Sequence, residues 1–207
     1  MNSKEEYFTV ALSGASGALY GLRLIEALVK ANRNVRVLVT NPARVVISQE
    51  TDLTVPNSPK EATEFFSDLY KSEKNQLIVY GKEQWFAPVA SGSNAPKAMI
   101  VCPCSTGTLS AIAMGSSRSL LERAADVVLK ERRTLILVPR ESPYSTIQLE
   151  NMLKLSKLGV TILPASPAFY NRPESISDLV DHIVARILDH LHVEHKLVPR
   201  WGEDVGY

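Results

Sequence analysis

The sequence predicts an α/β chain built on a parallel sheet, and three observations carry that expectation. Apolar, strand-like runs alternate with segments of helical periodicity along almost the whole chain. Two of the strand-to-helix junctions are made of small residues. A length of 207 residues with 45% hydrophobic residues suffices for one well-buried core and is short for two. The expected organisation is a single domain over residues 1–207, with its core at about 8–192 and a tail over 193–207.

The elements follow in order. Phe8 to Leu12 reads as the first strand. A helix from Gly17 to Ala31 then turns Leu22, Ile25, Leu28 and Val29 to one face and Arg23, Glu26 and Lys30 to the other. Val35 to Val39 is a second strand and Ala43 to Glu50 a short helix. The more polar stretch from Thr54 to Gln84 reads as an elaboration of the domain, with a helix over Lys60 to Tyr70 and a short strand over Gln76 to Tyr80. A strand at Ala98 to Cys102, a small-residue turn at Pro103 to Gly107 and a following helix repeat the pattern of the opening. Next come a helix (Leu120 to Glu131), a strand (Leu135 to Val138), a helix (Ser145 to Leu158) and a strand from Val160 to Leu163 that stops at Pro164. Ser175 to His192 is an amphipathic helix with Ser175 as its N-cap, and the tail Val193 to Tyr207 shows no element.

Composition removes several classes of function. A formal net charge of +1 gives no reason to expect a nucleic-acid partner. No run approaches the roughly 18 apolar residues of a membrane span, and the first six residues lack a signal peptide's apolar region, so a cytoplasmic location is expected. Cys102 and Cys104 read as reduced, buried thiols and not as a mutual disulfide. His182, His190, His192 and His195 do not form a convincing ligand set, and there is no Cys-x-x-Cys or aspartate-rich run, so no metal is expected. Gly14-Ala15-Ser16-Gly17 departs from the nucleophile-elbow pattern of serine hydrolases.

The chemistry concentrates where strands hand over to helices. In an open parallel sheet, ligands sit beyond the carboxyl ends of the strands. Two such loops, Ser13 to Ala18 and Cys104 to Thr108, are rich in Ser, Thr, Gly and Ala. Small side chains let backbone N–H groups approach an anion, although they also serve tight strand-to-helix packing. A dinucleotide would need a carboxylate at the end of the second strand, but that strand ends in Val39-Thr40-Asn41-Pro42, which favours a mononucleotide. Arg123, Lys130, Arg140 and Arg186 fall at or near element ends, with Tyr170 in the loop after the last strand; gathered in one pocket, they would bind a second phosphate. Taken alone, Lys130 to Arg133 also suits a solvated helix terminus. Glu50 and Glu141 are the carboxylates of interest, with a surface helix end as the plain alternative for Glu50.

The stretches "GASGALYGLRL", "SQETD", "PCSTGTLSAIA", "ERAADVVLKERR", "LVPRESP", "ENMLKLSKLGV" and "PASPAFYNRPESISDLVDHIVARIL" occur in this order. Together they resemble the UbiX-type flavin prenyltransferases over about residues 8–202. The resemblance implies a Rossmann-like, flavodoxin-like three-layer sandwich. It implies an enzyme that joins the dimethylallyl group of dimethylallyl monophosphate to N5 and C6 of reduced FMN without a metal. The prenylated FMN would serve a UbiD-type decarboxylase, in ubiquinone biosynthesis, and the protein would assemble as a homododecamer with its active site at subunit contacts.

Carried over residue by residue, Gly14, Ala15, Ser16 and Thr40 would line FMN, with Ser16 near N5. Ser105, Thr106, Gly107 and Thr108 would form the other FMN loop, and Arg140 would touch the same ligand. Ser91, Gly92, Arg123, Lys130, Arg140, Glu141, Tyr170 and Arg186 would surround the prenyl phosphate. Ser16, Glu50, Lys130, Glu141 and Trp201 would carry the chemistry, Trp201 by offering its face to an allylic cation and the two glutamates by handling protons. Two other readings share these features: a flavin-dependent decarboxylase acting on the cysteine end of a peptide or pantothenate precursor, and a non-enzymatic FMN carrier.

Overall fold

The computed structural model describes residues 6–199. Six strands, β1 (Tyr7–Leu12), β2 (Asn34–Val39), β3 (Leu77–Tyr80), β4 (Ala98–Cys104), β5 (Thr134–Pro139) and β6 (Thr161–Ile162), form one sheet in the order β3-β2-β1-β4-β5-β6. Every pairing is parallel. The order reverses between β1 and β4, which makes their carboxyl ends the switch point of a doubly wound sheet.

Helices cover both faces because parallel strands alternate their side chains between two apolar layers. Phe8, Val10 and Leu12 face a core shared with α1 (Ala18–Lys30), α2 (Asn41–Glu50), α3 (Pro59–Tyr70) and α7 (Ile176–His190). Tyr7 and Ala11 face the other core, with α4 (Thr106–Ala113), α5 (Leu120–Lys130) and α6 (Thr146–Lys157). Truncating a fully buried side chain such as Leu24 to alanine would cost about 2–5 kcal/mol.

Hydroxyl caps start most of the helices. Thr40, Ser58, Ser105, Ser119, Ser145 and Ser175 each accept a backbone N–H from the first turn, and Ser145 and Ser175 complete reciprocal capping boxes with Gln148 and Asp178. Helix α1 is the exception: Gly17 holds its N-cap position at φ 104° with no side chain of its own to offer.

Two expectations need correction. The Thr54 to Gln84 stretch, read as an elaboration of the domain, contributes β3 to the central sheet itself, where it pairs with β2 at the edge. The fourth strand also runs on through Pro103 to Cys104, where its pairing with β5 shifts register. Residues two apart on a regular strand share a face. After this shift, Cys102 lies in the first core and Cys104 in the second, so the sheet separates two reduced, buried thiols. Among the described residues no helix is long and apolar enough to cross a membrane.

Candidate functional site

The loops leaving β1 and β4 meet at the switch point and are fastened together by Ser13. Its Oγ donates to Pro103 O at 2.9 Å and accepts the Ser105 N–H at 2.8 Å, while its own N–H donates to Pro103 O at 3.2 Å. Ser13 is only 2% exposed, so the clasp is shielded from competing water. Gly14 follows where the chain passes α2 closely; a Cβ there would lie 2.4 Å from Pro42 Cβ.

Beside Gly14 opens a cavity of about 430 Å³, within the size range of small-molecule sites. Thr40, Ser105 and Thr108 supply hydroxyls to its wall, and Leu38, Tyr80 and Leu121 supply apolar surface. Thr40 Oγ1 accepts the Ala43 N–H at 3.1 Å, which leaves its hydroxyl proton uncommitted by that bond. Ser105 Oγ caps α4 by accepting the Thr108 N–H at 3.3 Å and lies 3.0 Å from Thr108 Oγ1. The next N–H groups, of Thr106 and Gly107, lie in the first turn and have no intrahelical acceptor. Gly107 is exposed, and a Cβ there would meet nothing within 4 Å. This end of α4 is therefore an open anion seat with donors and space.

The first loop differs from its expectation as a second cradle, because a carboxylate of the chain already fills it. Both Glu50 oxygens lie 3.0 Å from the Gly17 nitrogen and Oε2 accepts the Ala18 N–H at 2.8 Å. Glu50 ends α2, is half-buried, and supplies the cap that α1 lacks, so it is not the surface helix end that its sequence context allows. Ala15 is buried and Ser16 exposed on the same loop, two residues and one residue before Gly17 respectively. Ser16 and Glu50 are thus brought together through that turn.

Arg140 and Glu141 follow β5 at the same edge of the sheet. The Arg140 N–H donates to Cys104 O at 3.4 Å, and Glu141 Oε1 accepts the Ser142 N–H at 3.1 Å. Tyr170 and Arg186 come together elsewhere, in a separate cavity of about 570 Å³ whose other walls include His182, Asp189 and His195. Burial and the Arg186 charge both push the His182 imidazole below its ordinary value.

The remaining basic residues lie at the opposite edge. Lys130, the last residue of α5, pairs with Glu131 beside Gly92, and Arg123 donates to Ala90 O at 3.1 Å. Ser91 is exposed in the same turn. Lys130 precedes β5 and Arg140 follows it, so a six-residue strand, about 20 Å long, separates them. One chain therefore does not gather Lys130, Arg140, Tyr170 and Arg186 into one pocket. Trp201 lies outside the described residues. Among those residues no group of three or more His, Cys, Asp and Glu is placed to hold a metal ion.

Sequence reasoning passed over part of the cavity wall, namely Asn41, Pro42, Lys82, Ser119 and Glu122. Partial burial raises the Glu122 carboxyl, but hydrogen bonds from Ser116, Arg118 and Ser119 outweigh it and hold the group below the ordinary carboxylate range. The spacing Ser119-Leu120-Leu121-Glu122 is a readable helix-start signal and could have located this end of α5.

A doubly wound parallel sheet with two clasped small-residue loops at its switch point defines a mononucleotide- or flavin-binding α/β protein. In agreement, the family model described as Flavoprotein matches residues 1–188. The chain is 54% identical over 201 residues to flavin prenyltransferase UbiX of Pseudomonas aeruginosa, covering 97% of this chain and 96% of that protein. It is similar to the solved structure of AnUbiX (PadA1) in complex with FMN and dimethylallyl pyrophosphate, with a TM-score of 0.85 and 38% identity over 96% of this chain and 98% of the other. A dodecameric FMN-dependent UbiX-like decarboxylase from Escherichia coli O157:H7 matches with a TM-score of 0.83 and 40% identity, over 94% and 98% of the two chains. The chain belongs to the UbiX family of flavin prenyltransferases.

Proposed function

We propose that this protein transfers the dimethylallyl group of dimethylallyl monophosphate to N5 and C6 of reduced FMN. The observation that carries this reading is the separation of two places suited to phosphate: the open N-terminal turn of α4 in the first cavity, and the Tyr170 and Arg186 cavity outside it. A flavin carrier needs only one of these, and cysteine-end decarboxylation has no evident use for the second. The relative in complex with FMN and dimethylallyl pyrophosphate supports the same pairing of ligands.

The first cavity fits FMN. Ser105, Thr106, Gly107 and Thr108 would receive the flavin phosphate, Gly14, Ala15 and Thr40 would hold the ring and ribityl chain, and Arg140 would add a charged donor at the same edge. FMN, when bound and reduced, supplies the electron-rich nitrogen and carbon that are alkylated. On the donor, the carbon–oxygen bond breaks and its electron pair leaves on phosphate. Arg186, the Tyr170 hydroxyl and Lys130 would stabilise that developing charge, with Ser91, Gly92 and Arg123 at the same phosphate, so that no metal is needed. Glu141 would exchange a proton with the phosphate. Ser16, beside N5, and Glu50 would handle the proton lost there, and Trp201 would steady the allylic cation.

Because Lys130 and Arg140 lie at opposite edges of one chain, the complete site would be assembled from neighbouring copies. The dodecameric relative supports a homododecamer. The recipient of prenylated FMN would be a UbiD-type decarboxylase, with ubiquinone biosynthesis as the pathway. The deciding experiment is anaerobic incubation with reduced FMN and dimethylallyl monophosphate, followed by mass spectrometry of the extracted flavin. A flavin heavier by one prenyl unit is expected, and recovery of FMN alone from correctly assembled protein overturns the proposal.

A further inference from the structure

We propose that Asp189 is a positioning residue that presets the Arg186 guanidinium in the second cavity and ties it to the chain segment that follows α7. The inference rests on the reading of Arg186 as a ligand of the donor phosphate.

The geometry is a three-residue chain of contacts. Arg186 and Asp189 lie one turn apart on α7, and Arg186 Nη1 donates to Asp189 Oδ2 at 2.7 Å. The other carboxylate oxygen, Oδ1, lies 3.1 Å from His195 Nε2. His195 Nδ1 accepts the Leu197 N–H at 3.4 Å, so the proton of the neutral ring is assigned to Nε2, and His195 donates to Asp189. The His195 side chain is 5% exposed while that of Arg186 is 54% exposed. A buried imidazole thus anchors a carboxylate that holds a largely solvated guanidinium.

The arrangement suits an anion site. Among the described residues Arg186 uses only Nη1, which leaves the Nε and Nη2 edge of the fork for a phosphate. A solvated arginine loses rotamer freedom when it binds, and prior fixing by Asp189 removes part of that cost. The same contacts hold down the segment that carries Val198 and Pro199, which form another wall of the cavity. Tyr170, His182, His192 and Glu194 are the other titratable groups that line it.

The test is steady-state prenylation by the full-length protein, with dimethylallyl monophosphate varied at saturating reduced FMN. Asp189→Asn is expected to raise the donor KM about tenfold, the size of one lost charge-assisted hydrogen bond, with kcat within about twofold and FMN affinity unchanged. Asp189→Glu should recover part of the loss. His195→Ala, which spares the carboxylate but removes its anchor, should raise the donor KM about threefold, and it also serves if Asp189→Asn does not fold. An unchanged donor KM in these variants, or a parallel fall in kcat and FMN affinity, overturns the inference. Arg186→Ala separates the two layers. If it leaves the donor KM unaltered, the reading of the second cavity fails; if it raises the KM while the Asp189 and His195 variants do not, the positioning role alone fails.

Discussion

Glu50 closes the N-terminus of the helix that Gly17 begins. Both carboxylate oxygens lie 3.0 Å from the Gly17 nitrogen, and one also accepts the Ala18 N–H at 2.8 Å. Residues 33 positions apart thereby share the job that a capping serine does within one helix elsewhere in this protein. The same carboxylate bonds the residue that follows the exposed Ser16, so it is a structural cap to which the proposed function adds the handling of a proton.

The first prediction follows from this double duty. Glu50→Gln keeps one acceptor oxygen but sets an amide N–H against the helix donors and loses the charge that favours this helix end, at a cost of about 0.5–2 kcal/mol. The variant should fold and retain FMN yet form the prenyl adduct more slowly in single turnover. An unchanged single-turnover rate removes Glu50 from the chemistry and leaves it only as a cap.

Two glycines distinguish space needed by the chain from space needed by a ligand. Gly14→Ala would drive a methyl into Pro42, and overpacking of this kind costs about 1–3 kcal/mol, so both the melting temperature and FMN affinity should fall. At Gly107 the added methyl meets no protein atom, and alanine in a helix gains up to about 1 kcal/mol over glycine. Gly107→Ala should therefore melt no lower than the parent while its FMN affinity drops at least about tenfold, since the methyl displaces the phosphate from the α4 donors. Equal FMN affinity in a fluorescence titration would mean that the phosphate sits elsewhere.

Assembly of the site from several copies can be read by complementation. Lys130→Ala and Arg186→Ala are each expected to weaken use of the prenyl donor while leaving FMN binding intact. Co-expressed and co-assembled, the two impaired forms should recover a fraction of the parent rate at low donor concentration, because some sites would receive both wild-type residues from different chains. No recovery in verified mixed oligomers would place both residues in the site from a single chain.

The two thiols give a prediction with a definite pH sign. Burial pushes Cys104 up to about 12 and Cys102 higher still, the latter also under the influence of Cys104. Neither should react with a disulfide reagent at pH 8 until the protein unfolds, and rapid labelling of the native protein would contradict their placement. Because both folded values lie above the unfolded one, the unfolded chain loses its thiol protons first. Their contribution to stability is intact below the unfolded value of about 8.5 and is lost as pH rises toward 12. Urea titrations at pH 7 and pH 10 should show the decrease.

The element order was legible because apolar periodicity and hydroxyl caps agree along this chain. The runs at Phe8, Val35, Ala98 and Leu135 and the serines at 145 and 175 announced strands and helix starts that the structure contains. The sheet order was not legible, since nothing local marks that β3 returns to pair with β2 at the sheet edge. The same limit applied to Glu50: its sequence context shows a helix end, while its partner lies on another element. The basic residues could be singled out by type, but their distribution over two edges and a flank depends on strand direction, which residue types do not reveal.

The Ser13 clasp has a kinetic consequence. One buried hydroxyl binds the β1 and β4 loops through Pro103 and Ser105 and so fastens the two walls of the first cavity directly to each other, which should preset the crevice for a ligand. A flavin entering such a preset crevice has no loop to order. Its association should appear as one exponential phase whose rate rises linearly with concentration, and Ser13→Ala should introduce a slower second phase as the two walls part company.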